Sequence, residues 1–200
     1  METILFLNDY NYNDKKKHFF DIIYRNYNNI ISNDHNENNY YNQQIKLLVE
    51  EGKLCNDKID HEEINEQLLL SDIKLLLIDY SELDVNQYGK VIGFALASFI
   101  NRQSGSYCKV DILCGSVRGS GSELLQKITD IIISTGIQKI TVDSIKSAER
   151  FYLSRGFQII QQTAYKTKME KNIRGGSKSK KHKKHKKCKL KKQITYKHKK

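Results

Sequence analysis

The apolar residues of the chain follow two different spacings, and the change comes near residue 70. Earlier in the chain they recur at intervals of three and four, as at Phe19, Ile22, Ile23 and Tyr27, which is the period of a helix. A short apolar run at 3–7 precedes them and predicts a strand. The first part of the chain is therefore expected to contain one strand followed by helices.

Polar segments divide this helical part of the chain. Residues 26–44 contain eight asparagines in nineteen positions, which predicts an irregular polar loop. A short helix is expected at 45–52, ending at Gly52. Asp60 and Glu63 have the spacing of a capping box and predict a further helix that ends near residue 70.

After residue 70 the pattern becomes that of strands. Apolar runs at 73–80, 90–100 and 107–114 are separated by polar turns, which predicts three consecutive antiparallel strands. The middle run is apolar on both faces, so it is expected inside the sheet.

The last part of the body alternates helices and strands. A helical stripe follows the third strand, and Gly136 stands where a C-terminal cap belongs. A short strand at 139–142, a helix at 146–155 and final strands up to residue 170 complete the pattern. The expected fold class is α/β (α+β), a sheet with helices on both faces.

Net charge separates the body of the chain from its end. The protein has 200 residues and a net charge of +11, but 14 of its 34 Lys and Arg residues lie in 174–200, where Asp and Glu are absent. The remaining 173 residues are slightly acidic. We therefore expect a folded domain at 1–173 and a disordered basic tail at 174–200, suited to nucleic acid or another polyanion, to nuclear targeting, or to self-acetylation of its lysines.

The cysteines and the N-terminus bear on the cellular compartment. Cys55, Cys108, Cys114 and Cys188 show no paired spacing, so we expect free thiols, a reducing compartment and no metal site. The first residues lack the features of a secretory signal, and the longest apolar run is too short to cross a membrane. The expected location is intracellular and cytoplasmic, with no membrane partner.

A glycine-rich turn links the third strand to the next helix. The stretch 113–125, LCGSVRGSGSELL, puts glycines just before a helix start, where free N–H groups and the helix dipole favour an anion. A glycine-rich turn before a helix is structural more often than it is a binding site. The phosphate-binding P-loop and the dinucleotide fingerprint both fit it poorly, because the lysine of the first and the third glycine of the second are missing.

Two motifs in the second half of the chain, over residues 70–170, resemble those of the GNAT family, the Gcn5-related N-acetyltransferases. The family's first motif, Gln/Arg-x-x-Gly-x-Gly/Ala followed by an aliphatic pair, is matched by Gly119, Gly121, Leu124 and Leu125. The family's initial Gln or Arg is replaced here by Ser116.

The second family motif lies in SIKSAERFYLSRGF. Its matching residues are Ala148, Phe151, Tyr152, Gly156 and Phe157, while its usual leading Asn is replaced by Ile145. The order of elements also agrees with the family. The resemblance implies a mixed, mostly antiparallel sheet that splays between its fourth and fifth strands. The chain is also similar to GNAT-like proteins of large DNA viruses.

The resemblance implies acetyl-CoA as co-substrate and a primary amine of unknown type as acceptor. The diphosphate would lie on N–H groups of the glycine-rich turn, with Arg118 at its rim, and the pantetheine arm would pair with backbone near Leu113. The cofactor-binding residues expected on this basis are Leu113, Val117, Arg118, Gly119, Ser120, Gly121, Ser122 and Ala148.

The family also implies catalytic roles for two residues. Tyr152 would be the acid that protonates the leaving thiolate, and Asp111, the acidic residue on the fourth strand, is the candidate base. Alternatively, Tyr152 is a core aromatic residue and Asp111 is a surface carboxylate. The alternative function is an inactive GNAT-fold interaction module tethered to polyanions by its tail. Ser116 and Ile145 favour that alternative, whereas Tyr152 and the glycine pair favour the enzyme.

Overall fold

The structure, a computed structural model, describes residues 1–8, 14–55, 59–81, 83 and 87–173. The predicted tail at 174–200 lies outside the described residues, and its disorder stays a prediction. The helices are α1 (Asp14–Tyr27), α2 (His35–Glu50), α3 (His61–Leu70), α4 (Ser120–Ser134) and α5 (Glu149–Leu153). The strands are β1 (Glu2–Leu7), β2 (Ile73–Asp79), β3 (Lys90–Arg102), β4 (Gly105–Gly115), β5 (Lys139–Ile145), β6 (Gln158–Gln162) and β7 (Lys166–Asn172).

The strands form one mixed sheet in the order β1-β2-β3-β4-β5-β7-β6. Neighbouring strands are antiparallel except β4 and β5, which are parallel because α4 connects them across one face of the sheet. The three consecutive antiparallel strands predicted after residue 70 are thus confirmed as β2, β3 and β4.

Helices cover both faces of the sheet, as predicted. Side chains of α1, α4 and α5 pack on one face in a core that includes Phe19, Ile128 and Tyr152. Side chains of α2 and α3 pack on the other face, in a core that includes Tyr41 and Ile64. The sheet is therefore the middle layer of three.

The Asn-rich segment is more ordered than the sequence analysis predicts. The expectation of an irregular loop over 26–44 is wrong from His35 onward, since α2 starts there, ten residues before the helix expected at 45–52. The Asp34 carboxylate caps this helix by accepting hydrogen bonds from the N–H groups of Asn36 and Glu37. The buried residues have helical spacing, and this spacing outweighs the weak helix propensity of asparagine: Tyr41, Ile45, Leu48 and Val49.

Two of these asparagines have a specific partner. Lys74 of β2 is buried, and its ammonium group donates hydrogen bonds to the side-chain oxygens of Asn38 and Asn42. Its nitrogen also lies 4.4 Å from the centre of the Phe6 ring. Burial lowers the pKa of Lys74 to about 7, and the charge of Glu37 opposes this shift. The asparagines therefore face a buried cation.

Asp72 fixes the junction between α3 and β2. Its side chain is fully buried, accepts a hydrogen bond from the Phe99 N–H at 2.6 Å and lies 2.7 Å from the Lys16 ammonium. The carboxylate thus joins β2 to β3 and to α1. Because Ser71 is the adjacent residue, this junction also sets the position of the Ser71 hydroxyl, which reaches the candidate site.

We expect Asp72→Ala to lower the free energy of unfolding by about 3 kcal/mol, because it leaves the buried Phe99 N–H without its acceptor and removes the buried ion pair. Urea denaturation followed by circular dichroism measures this change. Asp21→Ala, at an exposed position of α1, is the matched control and should stay within about 0.5 kcal/mol of the unaltered protein. Equal stability of the two variants would contradict the assigned role of Asp72.

Candidate functional site

The site lies where β4 and β5 separate. The two strands pair only over Cys108–Val110 and Ile140–Val142, although β4 continues to Gly115 and β5 to Ile145. The divergence opens a cavity of about 570 Å³ between their ends. The splay predicted between the fourth and fifth strands is therefore confirmed, and the free edge of β4 faces the cavity.

A β-bulge places Asp111 at the point of divergence. Between β3 and β4, Leu96 lies opposite Ile112 and Ala97 lies opposite Val110, so Asp111 is the extra residue of the bulge. Val110 packs on the α1 and α4 side of the sheet, whereas Ile112 packs on the α2 and α3 side. The bulge therefore changes which residues face each layer and aims the Asp111 side chain at the cavity.

The carboxylate of Asp111 is held by two hydroxyl groups. Ser98 on β3 donates a hydrogen bond to its Oδ2 at 2.6 Å, and Ser71, at the end of α3, donates to the same oxygen at 3.1 Å. The other oxygen, Oδ1, lies 3.6 Å from the Lys109 ammonium. Burial raises the pKa of Asp111, while these hydroxyl groups and Lys109 oppose the shift. This buried position excludes the alternative of a surface carboxylate.

Tyr152 lines the same cavity from the opposite wall. It lies on α5, is 6% exposed, and packs edge to face against Phe151 and Phe157, with ring centres 5.0 and 5.3 Å away. Burial raises the pKa of Tyr152 to about 12, and Arg155 opposes the shift. The phenol is therefore protonated at neutral pH and able to donate a proton.

The glycine-rich turn forms the third side of the cavity. Gly119 has a φ of +97°, a left-handed conformation that favours glycine, and it is the N-cap of α4. Within the described residues, four N–H groups around this helix start have no backbone hydrogen-bond partner. They belong to Val117, Arg118, Gly119 and Gly121. Together with the helix dipole they offer a site for an anion.

The two serines of the turn make hydrogen bonds within the turn itself. The Ser120 N–H and hydroxyl both donate to the Val117 carbonyl, and the Ser122 N–H donates to the Gly119 carbonyl. Ser120 is also buried. Both serines therefore shape the turn internally through these bonds, and their role as cofactor contacts stays a prediction.

The remaining expected cofactor residues lie around the same space. Leu113 on β4 and Ala148, which ends a 3₁₀ turn at Lys146–Ala148, both line the cavity. Arg118 is exposed at the start of α4. The single helix expected at 146–155 is divided between this 3₁₀ turn and the short α5. The structure thus brings the candidate residues to one place, while their contacts with a cofactor stay predictions.

The two departures from the family motifs also have defined positions. The Ser116 N–H and hydroxyl both donate to the Ile92 carbonyl, so this side chain joins the turn to β3. Ile145 is the last residue of β5 and lines the cavity. Ser116 therefore takes a structural role in this chain.

Arg155 is a site residue that the sequence analysis missed. Its guanidinium group lies 3.7 Å from the centre of the Phe151 ring and donates hydrogen bonds to the Phe151 carbonyl and to the Ser122 hydroxyl. It therefore holds a fixed positive charge beside the first turn of α4. No local pattern could indicate this contact, because Arg155 and Ser122 are 33 positions apart.

The cysteines correct another expectation. Cys55, in the turn after α2, forms a disulfide with Cys114 near the end of β4, so the prediction of free thiols is wrong for these two residues. Cys108 is a free, buried thiol, and Cys188 lies outside the described residues. The pairing joins positions 59 residues apart and therefore leaves no sequence spacing to recognise. Both half-cystines line the cavity.

Two further features concern metals and membranes. Across the described residues, the side chains of His, Cys, Asp and Glu do not form a group of three suited to a metal ion. In the same part of the chain, the helices are too short or too polar to cross a membrane.

Gly115 is a second residue that the sequence analysis did not single out. A Cβ at this position would lie 1.9 Å from the Ser120 Oγ and 3.0 Å from its Cβ, whereas a Cβ at Gly121 would meet only Phe151 at an ordinary 3.6 Å. We expect Gly115→Ala to lower the free energy of unfolding by about 1–3 kcal/mol, because the buried Ser120 must move. Thermal unfolding with Gly121→Ala as the matched control tests this, since that variant should be at least as stable as the unaltered protein. Equal loss in both would contradict the close packing of Gly115.

The comparisons with known proteins bear on the fold. No model of a protein family matches the chain, and no curated protein matches it in sequence. Tetrahymena GCN5 has a similar structure, with a TM-score of 0.54 and 16% identity over 88% of this chain and 98% of that one. A putative acetyltransferase of the GNAT family from Desulfovibrio desulfuricans has a TM-score of 0.52 and 15% identity over 68% of this chain and 94% of its own.

A third similar structure is a chain of the NatC complex bound to Gag peptide and CoA. Its TM-score is 0.51 at 12% identity, over 87% of this chain and the whole of that one. These likenesses span nearly the full length of the solved chains. The protein therefore has the fold of the GNAT acetyltransferases.

Proposed function

We propose that the protein is an N-acetyltransferase that moves an acetyl group from acetyl-CoA directly to a primary amine. The observation that carries this proposal is a single cavity in which three features meet. These are the unpartnered N–H groups at the start of α4, the buried Asp111 carboxylate and the protonated Tyr152. The GNAT fold supports it.

The residues around the cavity fit coenzyme A. The N–H groups of Val117, Arg118, Gly119 and Gly121 would hold the diphosphate, with the positive charge of Arg155 next to them. The free edge of β4 around Leu113 offers backbone groups to an amide-bearing arm, because β5 has already diverged there. Acetyl-CoA, when bound, supplies the acetyl group as a reactive thioester.

Asp111 would accept a proton from the incoming amine. A primary amine is mostly protonated at neutral pH and must lose a proton to become a nucleophile. The two serine hydroxyls donate only to Oδ2, so the amine would approach Oδ1, which has the Lys109 ammonium 3.6 Å away as its other neighbour. Burial raises the pKa of Asp111 above its ordinary value, which makes the carboxylate a stronger base than an exposed aspartate.

Tyr152 would supply a proton to the departing sulfur. Its buried phenol keeps its proton at neutral pH, since burial raises the pKa to about 12. Phe151 and Phe157 fix the ring on two sides, so the hydroxyl is held in one position relative to the cavity. In this proposal the base lies on β4 and the acid on α5, and both line the same cavity.

Three wider expectations accompany this proposal. The lysine-rich segment 174–200 would bind nucleic acid or another polyanion, or would itself be an acetylated substrate. The expected location stays cytoplasmic, or nuclear through this segment. The similarity to proteins of large DNA viruses also stays a prediction that the Asn-rich and Lys-rich composition favours.

Binding of acetyl-CoA to the full chain, measured by calorimetry, tests the proposed function, and the reaction is then tested with Tyr152→Phe. Peptides, polyamines and aminoglycosides are screened for an acceptor. We expect Tyr152→Phe to lower kcat by about a hundredfold, because it removes the proton donor. The acetyl-CoA Kd should stay within about threefold of that of the unaltered protein.

Tyr165→Phe is the matched control, since Tyr165 is 86% exposed and lies outside the cavity lining, and it should keep full turnover. Unchanged turnover in Tyr152→Phe would remove this residue from the mechanism. Absence of acetyl-CoA binding at millimolar concentration would contradict the enzyme and favour an inactive interaction module.

Ser98→Ala tests the role of Asp111 as the base. Loss of the 2.6 Å hydrogen bond to Oδ2 destabilises the ionised carboxylate, so the pKa of Asp111 should rise further. Activity needs the ionised form, so the acidic limb of the kcat/KM profile should move to higher pH by about one unit. Ser71→Ala should cause a smaller shift because its hydrogen bond is longer.

Ser106→Ala is the control for this measurement, since its exposed hydroxyl contacts Asn101 at the far end of β4. Its profile should match that of the unaltered protein. An acidic limb that stays in place in Ser98→Ala would mean that a group other than Asp111 accepts the proton.

A further inference from the structure

The Cys55–Cys114 disulfide lies in the wall of the candidate cavity and joins that wall to the sheet. Cys114 is the next to last residue of β4, and Cys55 belongs to the turn that precedes α3. Ile59 and Glu63, which follow Cys55 along the chain, line the same cavity. We call this wall, made by residues 55 and 59–70, the α3 wall. The disulfide is therefore its covalent attachment to β4.

The other attachments of the α3 wall are noncovalent. They include a hydrogen bond from the Asn8 side chain to the Leu69 carbonyl at 2.6 Å and the pairing of His61 with Glu50. Ile64 is the only fully buried side chain of α3, and Leu69 and Leu70 are 73% and 53% exposed. The Lys166 ammonium lies 3.7 Å from the Glu63 carboxylate, but both groups are well exposed, and such pairs add little stability. The disulfide is thus the covalent link between the α3 wall and β4, in addition to these noncovalent contacts.

The backbone at Cys55 also favours release of this turn. Cys55 has a φ of +62°, a left-handed conformation that non-glycine residues rarely adopt. The buried neighbour Leu54 and the disulfide hold the turn in this conformation. Once the disulfide is broken, one of these two restraints is lost and Cys55 can return to an ordinary conformation.

We propose that the Cys55–Cys114 disulfide is a redox-controlled latch on the α3 wall of the cavity. A thiolate of a dithiol reductant attacks one cysteine sulfur, and the bond between the two cysteines breaks. The second thiol of the reductant then releases the bound cysteine and closes the reductant's own disulfide. Two electrons and two protons are transferred, and Cys55 and Cys114 are left as thiols. The α3 wall is then free to move away from β4.

The proposed latch predicts that reduction affects α3 and α4 differently. The oxidised protein has a closed, ordered α3 wall beside Ser71 and Asp111, whereas the reduced protein has a mobile one. The first turn of α4 donates hydrogen bonds to the Gly119 carbonyl, and Ser116 in the preceding turn donates to the Ile92 carbonyl; neither involves the disulfide. Reduction should therefore loosen α3 and leave α4 in place.

Hydrogen exchange of the full chain, followed by mass spectrometry of α3 and α4 peptides, tests the latch. The protein is first oxidised with glutathione disulfide or reduced with dithiothreitol, and alkylation with peptide mapping records the state of Cys55 and Cys114. We expect α3 amides to exchange at least about tenfold faster after reduction, and α4 amides to change by less than about twofold. Cys55→Ser should behave as the reduced protein under both conditions.

Cys108→Ala is the matched control, because Cys108 is a buried free thiol and the variant keeps the disulfide. It should respond to oxidation and reduction as the unaltered protein does. Equal α3 exchange in the oxidised and reduced protein would overturn the latch. An equal rise in α4 exchange on reduction would also overturn it, because the disulfide would then stabilise the whole fold and not α3 alone. Failure of oxidation to protect Cys55 and Cys114 from alkylation would overturn it too.

These readouts require neither cofactor nor acceptor. Acetyl-CoA binding is measured separately, so an absence of binding would count against the proposed acetyltransferase and leave the latch standing. Conversely, binding of acetyl-CoA without any redox effect on α3 exchange would reject the latch alone.

Discussion

The short parallel pairing of β4 with β5 is the constraint on which the site depends. Only three residues of each strand are joined, and beyond Val110 and Val142 the backbones separate. A longer ladder would close the sheet and leave no cavity, while no ladder would separate the walls that carry Asp111 and Tyr152. Because α4 must cross the sheet to make this pair parallel, its first turn arrives at the mouth of the same gap. The pairing of β4 with β5 thus fixes the positions of Asp111, of Tyr152 and of the N–H groups at the start of α4.

Burial and hydrogen bonding act in opposite directions at the two candidate catalytic groups. At Asp111, burial raises the pKa, and the hydroxyls of Ser71 and Ser98 with the Lys109 ammonium limit the rise. At Tyr152, burial dominates and only Arg155 opposes it. One group can therefore ionise to act as a base, while the other keeps its proton. Burial raises both pKa values, and the hydroxyl groups and Lys109 limit the rise at Asp111.

Local sequence patterns predicted the elements of this fold. Features that depend on contacts between distant residues could not be predicted from them. The apolar runs of β2, β3 and β4 and the glycine before α4 were readable because strand burial and helix capping follow the order of the chain. The bulge at Asp111 depends on register with β3, and the Arg155 contact to Ser122 crosses 33 positions. The Cys55–Cys114 pair crosses 59. In α2, the high asparagine content led to the prediction of a loop. The helix forms because its buried residues have helical spacing and pack in the core.

The order of strands in the sheet has a consequence for how the cavity comes into being. β7 is the last strand of the described residues, yet it lies between β5 and β6 and pairs along the whole length of β5. During synthesis, β1 to β4 and α4 can emerge and pack before β5 has its second neighbour. β5, which leads into the helix that bears Tyr152, has its second neighbour only when residues 166–172 are in place. A chain that stops short of β7 leaves β5 paired with β4 over three residues alone.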